Sequence, residues 1–360
     1  MDAQIQTGGP TERAWRTGQF VLLLAVAACW LALSALNIWM GELNQDEGWY
    51  LNAARLMTQG QVPYRDFAFT QAPMLPLVYS WTYGWVGHFG LLGGRLVTWV
   101  FGTLGMLCAL WLAMRAGPRS AQRLSGGLCI ILIAMNVYQS YFTTVVKTYA
   151  LASLFLCAGL VLLSFVGARR GFFAAMGAGF LLACAAATRI SLGATLALGG
   201  FYLLLYRKRL KAWAWLDYGV GGLLGLALTV LPFWTLGKEG FIFGVLKYHS
   251  LREAGPVLMQ LAYKVGCLSR LAQAYFPAAV GGLALFILAC RLARHGRPPD
   301  GVATDPKSAA PDDIAPCFNS FLWVAVIAMG LVHLAAPFPY DDYQVPVYPV
   351  LCSALAASYA

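Results

Sequence analysis

Residues 20–67 read FVLLLAVAACWLALSALNIWM followed by GELNQDEGWYLNAARLMTQGQVPYRDF. The first part, Phe20–Met40, carries no charged residue. It is long enough to cross a hydrocarbon core of roughly 30 Å as a helix. The second part, Gly41–Phe67, holds Glu42, Asp46, Glu47 and Asp66, four of the chain's fifteen carboxylates. An apolar run that stops against an acid-bearing loop is a membrane span meeting water. Arg13 and Arg16 precede the run. Basic residues before a span longer than a signal-peptide core predict an uncleaved signal anchor with a cytoplasmic N-terminus.

The rest of the chain repeats this pattern. Of 360 residues, 59% are hydrophobic and 11% charged, and the mean hydropathy is +0.65. A soluble domain is nearer one-half apolar and about one-quarter charged. Helices satisfy their own backbone groups in lipid, so the fold class is all-α, a polytopic transmembrane bundle of about nine or ten spans. The net charge of +10 comes from Arg and Lys grouped between apolar runs. That is the positive-inside pattern rather than a nucleic-acid surface. The nine cysteines include no C-x-x-C pair and read as small apolar fillers.

The expected order is Phe20–Met40 outward, a polar loop with interfacial helices over 41–90, then Leu91–Met114 inward. Ser125–Tyr138, Tyr149–Val166, Phe172–Thr188, Ile190–Tyr206 and Trp213–Leu236 follow in alternation. Within 41–90, Glu47–Gln59 has the pattern of a short amphipathic helix, and Ala72–Gly90 that of an aromatic interfacial piece. Gln139–Thr148 is expected as a polar turn holding Lys147, and Gly237–Ala274 as a loop on the same side. Tyr275–Leu292 returns inward, 296–318 is a cytoplasmic linker, and Asn319–Ala336 is the last full span. Gly102, Gly105, Gly177 and Gly179 are expected to permit close helix packing. Apart from Asp217, the termini and the linker, every carboxylate falls on the extracytoplasmic side: Glu42, Asp46, Glu47, Asp66, Glu239, Glu253, Asp341 and Asp342. Acids hardly govern topology, so this face is where polar chemistry is expected.

Asp46 and Glu47 at a helix start are favoured by capping and by the dipole. The same pair suits a general base with a neighbouring acid, since a hydroxyl is a weak nucleophile until a carboxylate takes its proton. His88 and His249 lack metal-ligand spacing and read as ordinary surface histidines.

The run D-E-x-x-Y from Asp46 to Tyr50, then Ala53-Ala54-Arg55, Gly60, Pro63-Tyr64-x-Asp66 and Pro73-x-x-Pro76-Leu77 resembles a first extracytoplasmic loop in the GT-C glycosyltransferases. The resemblance is to the protein O-mannosyltransferase and aminoarabinose transferase group (glycosyltransferase family 39-like). Arg95 at the start of the second span, Arg189 in ATRISLG and the late YDDYQVPVYP agree with it. Two positions depart: Thr70-Gln71-Ala72-Pro73 stands where a Lys often precedes P-P-L, and Asp341-Asp342 where a basic residue is common.

The resemblance implies one GT-C-like transmembrane domain over 1–360. It implies transfer of a sugar, with inversion, from a polyprenyl-phosphate donor to a hydroxyl of a lipid, glycan or protein acceptor. The reaction would run on the extracytoplasmic face of the cell membrane. In that reading Asp46 is the base and Glu47 its partner, while Arg95, Lys147 and Arg189 bind the donor phosphate. Tyr50, Tyr64, Asp66, Tyr340, Asp341, Asp342 and Tyr343 are the substrate-binding set. No cofactor is obligatory, although Asp46, Glu47, Asp341 and Asp342 have the chemistry to hold a divalent cation. Val345–Ala360 is short for a crossing, which implies a truncated or unusually short member of the group. The alternative is a transporter or flippase of a lipid-linked substrate, which would place ionisable groups at mid-span.

Overall fold

The structure, a computed structural model, describes residues 10–167, 171–210, 212–248, 251, 255–295, 315–336 and 338–359. Most of the expected linker, together with His249, Arg252 and Glu253, lies outside the described residues.

Among the described residues there is no strand, only an isolated bridge between Pro63 and Phe67. The helices are α1 Pro10–Met40, α2 Gln45–Thr58, α3 Met74–Trp81, α4 Tyr83–Ala116, α5 Gln122–Ala134 and α6 Val137–Phe142. They continue with α7 Thr148–Leu163, α8 Gly171–Thr188, α9 Gly193–Leu205, α10 Ala214–Thr229, α11 Leu231–Leu236 and α12 Lys238–Phe241. The last are α13 Val257–His295, α14 Ala315–Ala335 and α15 Tyr348–Tyr359. Among the described residues, four stretches are by themselves long and apolar enough to cross a membrane: Leu23–Met40, Tyr83–Ala116, Gly171–Thr188 and Cys317–Ala335. Apolar side chains such as Leu24, Leu33, Phe201, Leu223 and Leu228 stand exposed on the outer faces of the bundle. Water does not tolerate such a surface over so many helices, and lipid does. The chain is a multi-pass membrane protein.

Two of the other expected spans are interrupted, for identifiable reasons. Ser125–Tyr138 breaks at Asn136, whose Oδ1 accepts from the Gln139 amide at 3.1 Å and so caps α6. Trp213–Leu236 divides at Val230, ahead of Pro232 at the start of α11. The proposed boundary at Gly90 is not an end. Gly90 adopts φ 60° and ψ −137°, and α4 runs through it with a kink, taking in residues 83–89 that were expected to lie in the interface. The expected loop Gly237–Ala274 is largely helical: α12 continues into a π-helical turn over Ile242–Lys247, and α13 extends 39 residues from Val257.

Two apolar clusters organise the molecule. The larger is the bundle core, built around α7, whose Leu156, Cys157 and Leu160 are fully buried against residues of α4, α5, α8 and α15. Here α8 and α10 approach closely. A Cβ on Gly179 would collide with the Tyr218 carbonyl, and one on Gly221 with the Met176 carbonyl. The second cluster is richer in aromatics and joins Tyr50, Tyr64, Phe69 and Tyr79 to Val146, Phe233 and Val245. It forms a cap, made mostly from residues 50–86, over one end of the bundle.

Candidate functional site

Between cap and bundle lies a cavity of about 680 Å³. Its walls come from helix ends that meet at one level. They are the start of α2 (Asp46, Trp49, Tyr50), the cap segment at Thr70 and Gln71, and the start of α7 (Lys147, Tyr149). The turn after α8 (Arg189, Ser191), the end of α14 (His333) and the 3₁₀ segment at 341–344 complete it. The antiparallel order of the helices brings these distant positions together.

The α2 start is fixed by its cap. Asn44 Oδ1 accepts from the Asp46 amide at 3.1 Å, and the Asn44 amide donates to Glu47 Oε2 at 3.1 Å. Successive residues on a helix point about 100° apart, so the two acids part company here. Glu47 turns inward and is 2% exposed. Its Oε1 accepts from Arg95 Nε at 2.9 Å and from the Val146 amide at 3.0 Å, and its Oε2 accepts from Arg95 Nη2 at 2.7 Å. Arg95 also donates to the carbonyls of Asn37, Ile38, Gly41 and Glu42 at 2.9–3.3 Å. The pair thus ties the end of α1 to α2, α4 and the approach to α7. Neither residue lines the cavity. The expectation that Glu47 assists Asp46, and that Arg95 receives a phosphate, meets a pair whose groups already satisfy each other.

Asp46 faces the cavity and its side chain is 41% exposed. Lys147 Nζ lies 3.0 Å from its Oδ2 and 3.2 Å from Asp342 Oδ2, bridging the two acids. Burial alone would pull the Lys147 ammonium down; Asp342 and Asp46 outweigh it and hold the pKa above the ordinary lysine value. Arg189 is stacked between two rings, with its guanidinium carbon 4.7 Å from the Tyr149 centroid and 4.6 Å from the Tyr343 centroid. Its Nη1 donates to Thr148 Oγ1 at 3.1 Å, while its buried Nε has no hydrogen-bond partner. Lys147 and Arg189 are the cations of this end of the cavity, set against the carboxylates of Asp46 and Asp342. The positive end of the α7 dipole lies on the same wall.

The expected substrate-binding residues divide. Tyr50, Tyr340, Asp342 and Tyr343 line the cavity. Tyr64 does not. It is buried in the cap at φ 69°, packs on Phe69 and Phe241, and its hydroxyl donates to the Gln71 carbonyl at 2.5 Å. Asp66 sits on the surface in a turn, accepting from the Val62 amide at 2.7 Å and paired with Arg65 at 2.8 Å. Asp341 pairs with Arg270 of α13 at 3.4 Å. Among the described residues no group of three or more acids, histidines and cysteines is placed to hold a metal ion. His88 is exposed and away from the cavity.

Sequence reading missed His333, Ser191 and Tyr149 on the cavity wall. His333 carried a usable signal, because an ionisable residue near the end of an apolar span marks a functional site more often than a surface one does.

Solved structures show the same architecture. ArnT from Cupriavidus metallidurans in the apo state aligns with a TM-score of 0.62 at 18% identity, over 96% of this chain and 60% of that one. The ArnT structure from Cupriavidus metallidurans bound to undecaprenyl phosphate aligns at 0.59 and 18% identity, over 95% and 60%. The chain shares the fold of these ArnT structures. It spans 60% of the length of the ArnT chains it matches. The sequence matches no protein-family model and no curated protein. On this fold the cavity gathers Asp46, Lys147 and Arg189, which are spread over more than 140 positions of the sequence.

Proposed function

We propose that this protein is a membrane glycosyltransferase that moves a sugar from a polyprenyl-phosphate donor to an acceptor hydroxyl on the extracytoplasmic face, with inversion. The observation that carries the reading is the shared cavity: two carboxylates, Asp46 and Asp342, and two cations face one chamber on a fold also seen in ArnT bound to undecaprenyl phosphate.

The chemistry follows from the arrangement. The acceptor oxygen forms a bond to the anomeric carbon while the bond from that carbon to the lipid phosphate oxygen breaks. The acceptor proton passes to Asp46, which is solvent-accessible enough to receive it and is held by Lys147. The departing phosphate gathers negative charge, and Arg189 with Lys147 lies where that charge develops. Trp49, Tyr50 and Tyr343 offer aromatic faces for the sugar and the lipid head. Glu47 and Arg95 serve as the rigid seat of Asp46 rather than as reactants.

The test is to incubate purified protein with candidate polyprenyl-phosphate sugars and follow consumption of the lipid. Wild-type turnover that disappears in Asp46→Asn, with the variant still folded in the membrane fraction, is the expected outcome. Substantial transfer by the variant would remove Asp46 from the mechanism.

A further inference from the structure

Three polar atoms on the cavity wall are buried with no partner in good hydrogen-bond geometry, Arg189 Nε, His333 Nδ1 and Asp342 Oδ1, although the Gln344 side chain stands near the imidazole and the Tyr149 hydroxyl near the carboxylate. A buried polar group left unpaired costs free energy, so such a cluster around one cavity is a place prepared for a ligand. Lys147 already holds the other oxygen of Asp342. Arg189 and His333 remain to be explained together.

They belong to one constellation. The guanidinium of Arg189 lies 4.6 Å from the Tyr343 ring, and the imidazole of His333 lies 5.7 Å from the same ring. His333 is 3% exposed, so its Nδ1 has no bulk water to serve it. Its other nitrogen, Nε2, is 2.8 Å from Ser191 Oγ. When the Ser191 hydroxyl donates to Nε2, the neutral imidazole carries its hydrogen on Nδ1 and presents a donor there. Arg189 Nε is a donor only. Two buried donors against one ring, one of them on a permanent cation, fit an acceptor-rich anion.

We infer that His333, oriented by Ser191, is a second ligand beside Arg189 for the phosphoryl group of a lipid phosphate. The inference rests on the lipid-phosphate donor of the proposed function and adds a residue to it from the end of α14. Ile190 and Val332, exposed apolar neighbours on the cavity wall, give the attached chain a non-polar surface beside the dyad. Ser191 is a positioning residue: it acts on the phosphoryl group through the imidazole.

The test uses the full chain in nanodiscs, titrated with undecaprenyl phosphate, undecaprenol and inorganic phosphate. His333→Ala is expected to weaken undecaprenyl phosphate about tenfold, the size of one hydrogen bond to a charged group. Undecaprenol binding should not change. His333→Asn, whose side-chain amide can stand in for Nδ1–H, should retain most of the affinity. Ser191→Ala should lose about threefold by loosening the imidazole. In ¹⁵N-histidine-labelled wild type, the signal that His333→Asn removes should move when undecaprenyl phosphate is added, a response that a merely structural histidine would not give. Equal binding of undecaprenyl phosphate by wild type and His333→Ala, with no shift of that signal, overturns the inference and leaves the proposed function standing. Absence of any undecaprenyl phosphate binding by wild type overturns both. Inorganic phosphate binding as tightly as the lipid would assign the dyad to free phosphate and overturn the lipid assignment.

Discussion

Asp46 and Glu47 are neighbours in sequence and occupy different environments: Lys147 meets Asp46 on the cavity wall at 3.0 Å, and Arg95 meets Glu47 inside the protein at 2.7 Å. The capped start of α2 creates the division, since it sets the rotation of the helix and therefore which acid reaches the chamber. Substitutions at the two positions should fail in different ways.

Asp46→Asn keeps the size of the side chain and loses its ability to take a proton. Transfer should fall by about 10²–10⁴, the range associated with a positioned general base. The melting temperature in detergent should move little, because Lys147 keeps Asp342 as a partner at 3.2 Å. Turnover per folded molecule, measured beside a thermal melt, checks both halves of the expectation.

Glu47→Gln should show the reverse. It leaves the Arg95 guanidinium buried without its counter-charge, a change that costs roughly 3–5 kcal/mol where such pairs have been broken. Arg95→Lys should also destabilise, because an ammonium cannot reproduce a fork that serves a carboxylate and four backbone carbonyls. A lower melting temperature, with the surviving folded fraction still turning over, is the expected pattern. A variant of normal stability and no activity would instead place Glu47 or Arg95 in the chemistry.

Much of the fold was legible because lipid imposes simple demands. Apolar length marked α1, α8 and α14, and the amphipathic pattern found α2 within two residues of its start and one of its end. Expecting Lys147 and Arg189 at span ends beside the acidic loop also placed them on one level of the bundle, where the cavity forms. The obscure features depend on contacts between distant positions. Nothing near Glu47 in sequence reveals that Arg95, 48 residues away, will engage it. Charge content hid α13: Lys264 and Arg270 made its first half look like a loop, although the helix continues through them. His333 is obscure for another reason: a single histidine inside an apolar run has no spacing partner to mark it.

Tyr64 connects the cap to the cavity without touching it. Its hydroxyl bonds the carbonyl of Gln71, whose segment forms one wall of the chamber. Tyr64→Phe removes that donor and should cost about 1 kcal/mol of stability. The wall at Thr70 and Gln71 should become less fixed. KM for the sugar donor should therefore rise more than kcat falls, since no group that handles the proton or the leaving phosphate has changed. A loss confined to kcat would show that the segment takes part in the chemical step.

Lys147 offers a test by pH. Although burial opposes its charge, Asp342 and Asp46 hold its folded-state pKa above the ordinary value of 10.5. A raised pKa means that the folded form binds this proton more tightly than the unfolded chain does. The stabilisation is then fully present below about 10.5 and is lost as pH rises through the folded value. The difference in melting temperature between wild type and Lys147→Met should accordingly stay constant from about pH 6 to about pH 9, where the ammonium is charged in both states, and narrow only above about pH 10.5. Thermal melts across that range decide the matter. A difference that shrank through neutral pH would mean that Lys147 loses its proton in the folded protein far earlier, and the bridge between Asp46 and Asp342 would not be the charged contact seen here.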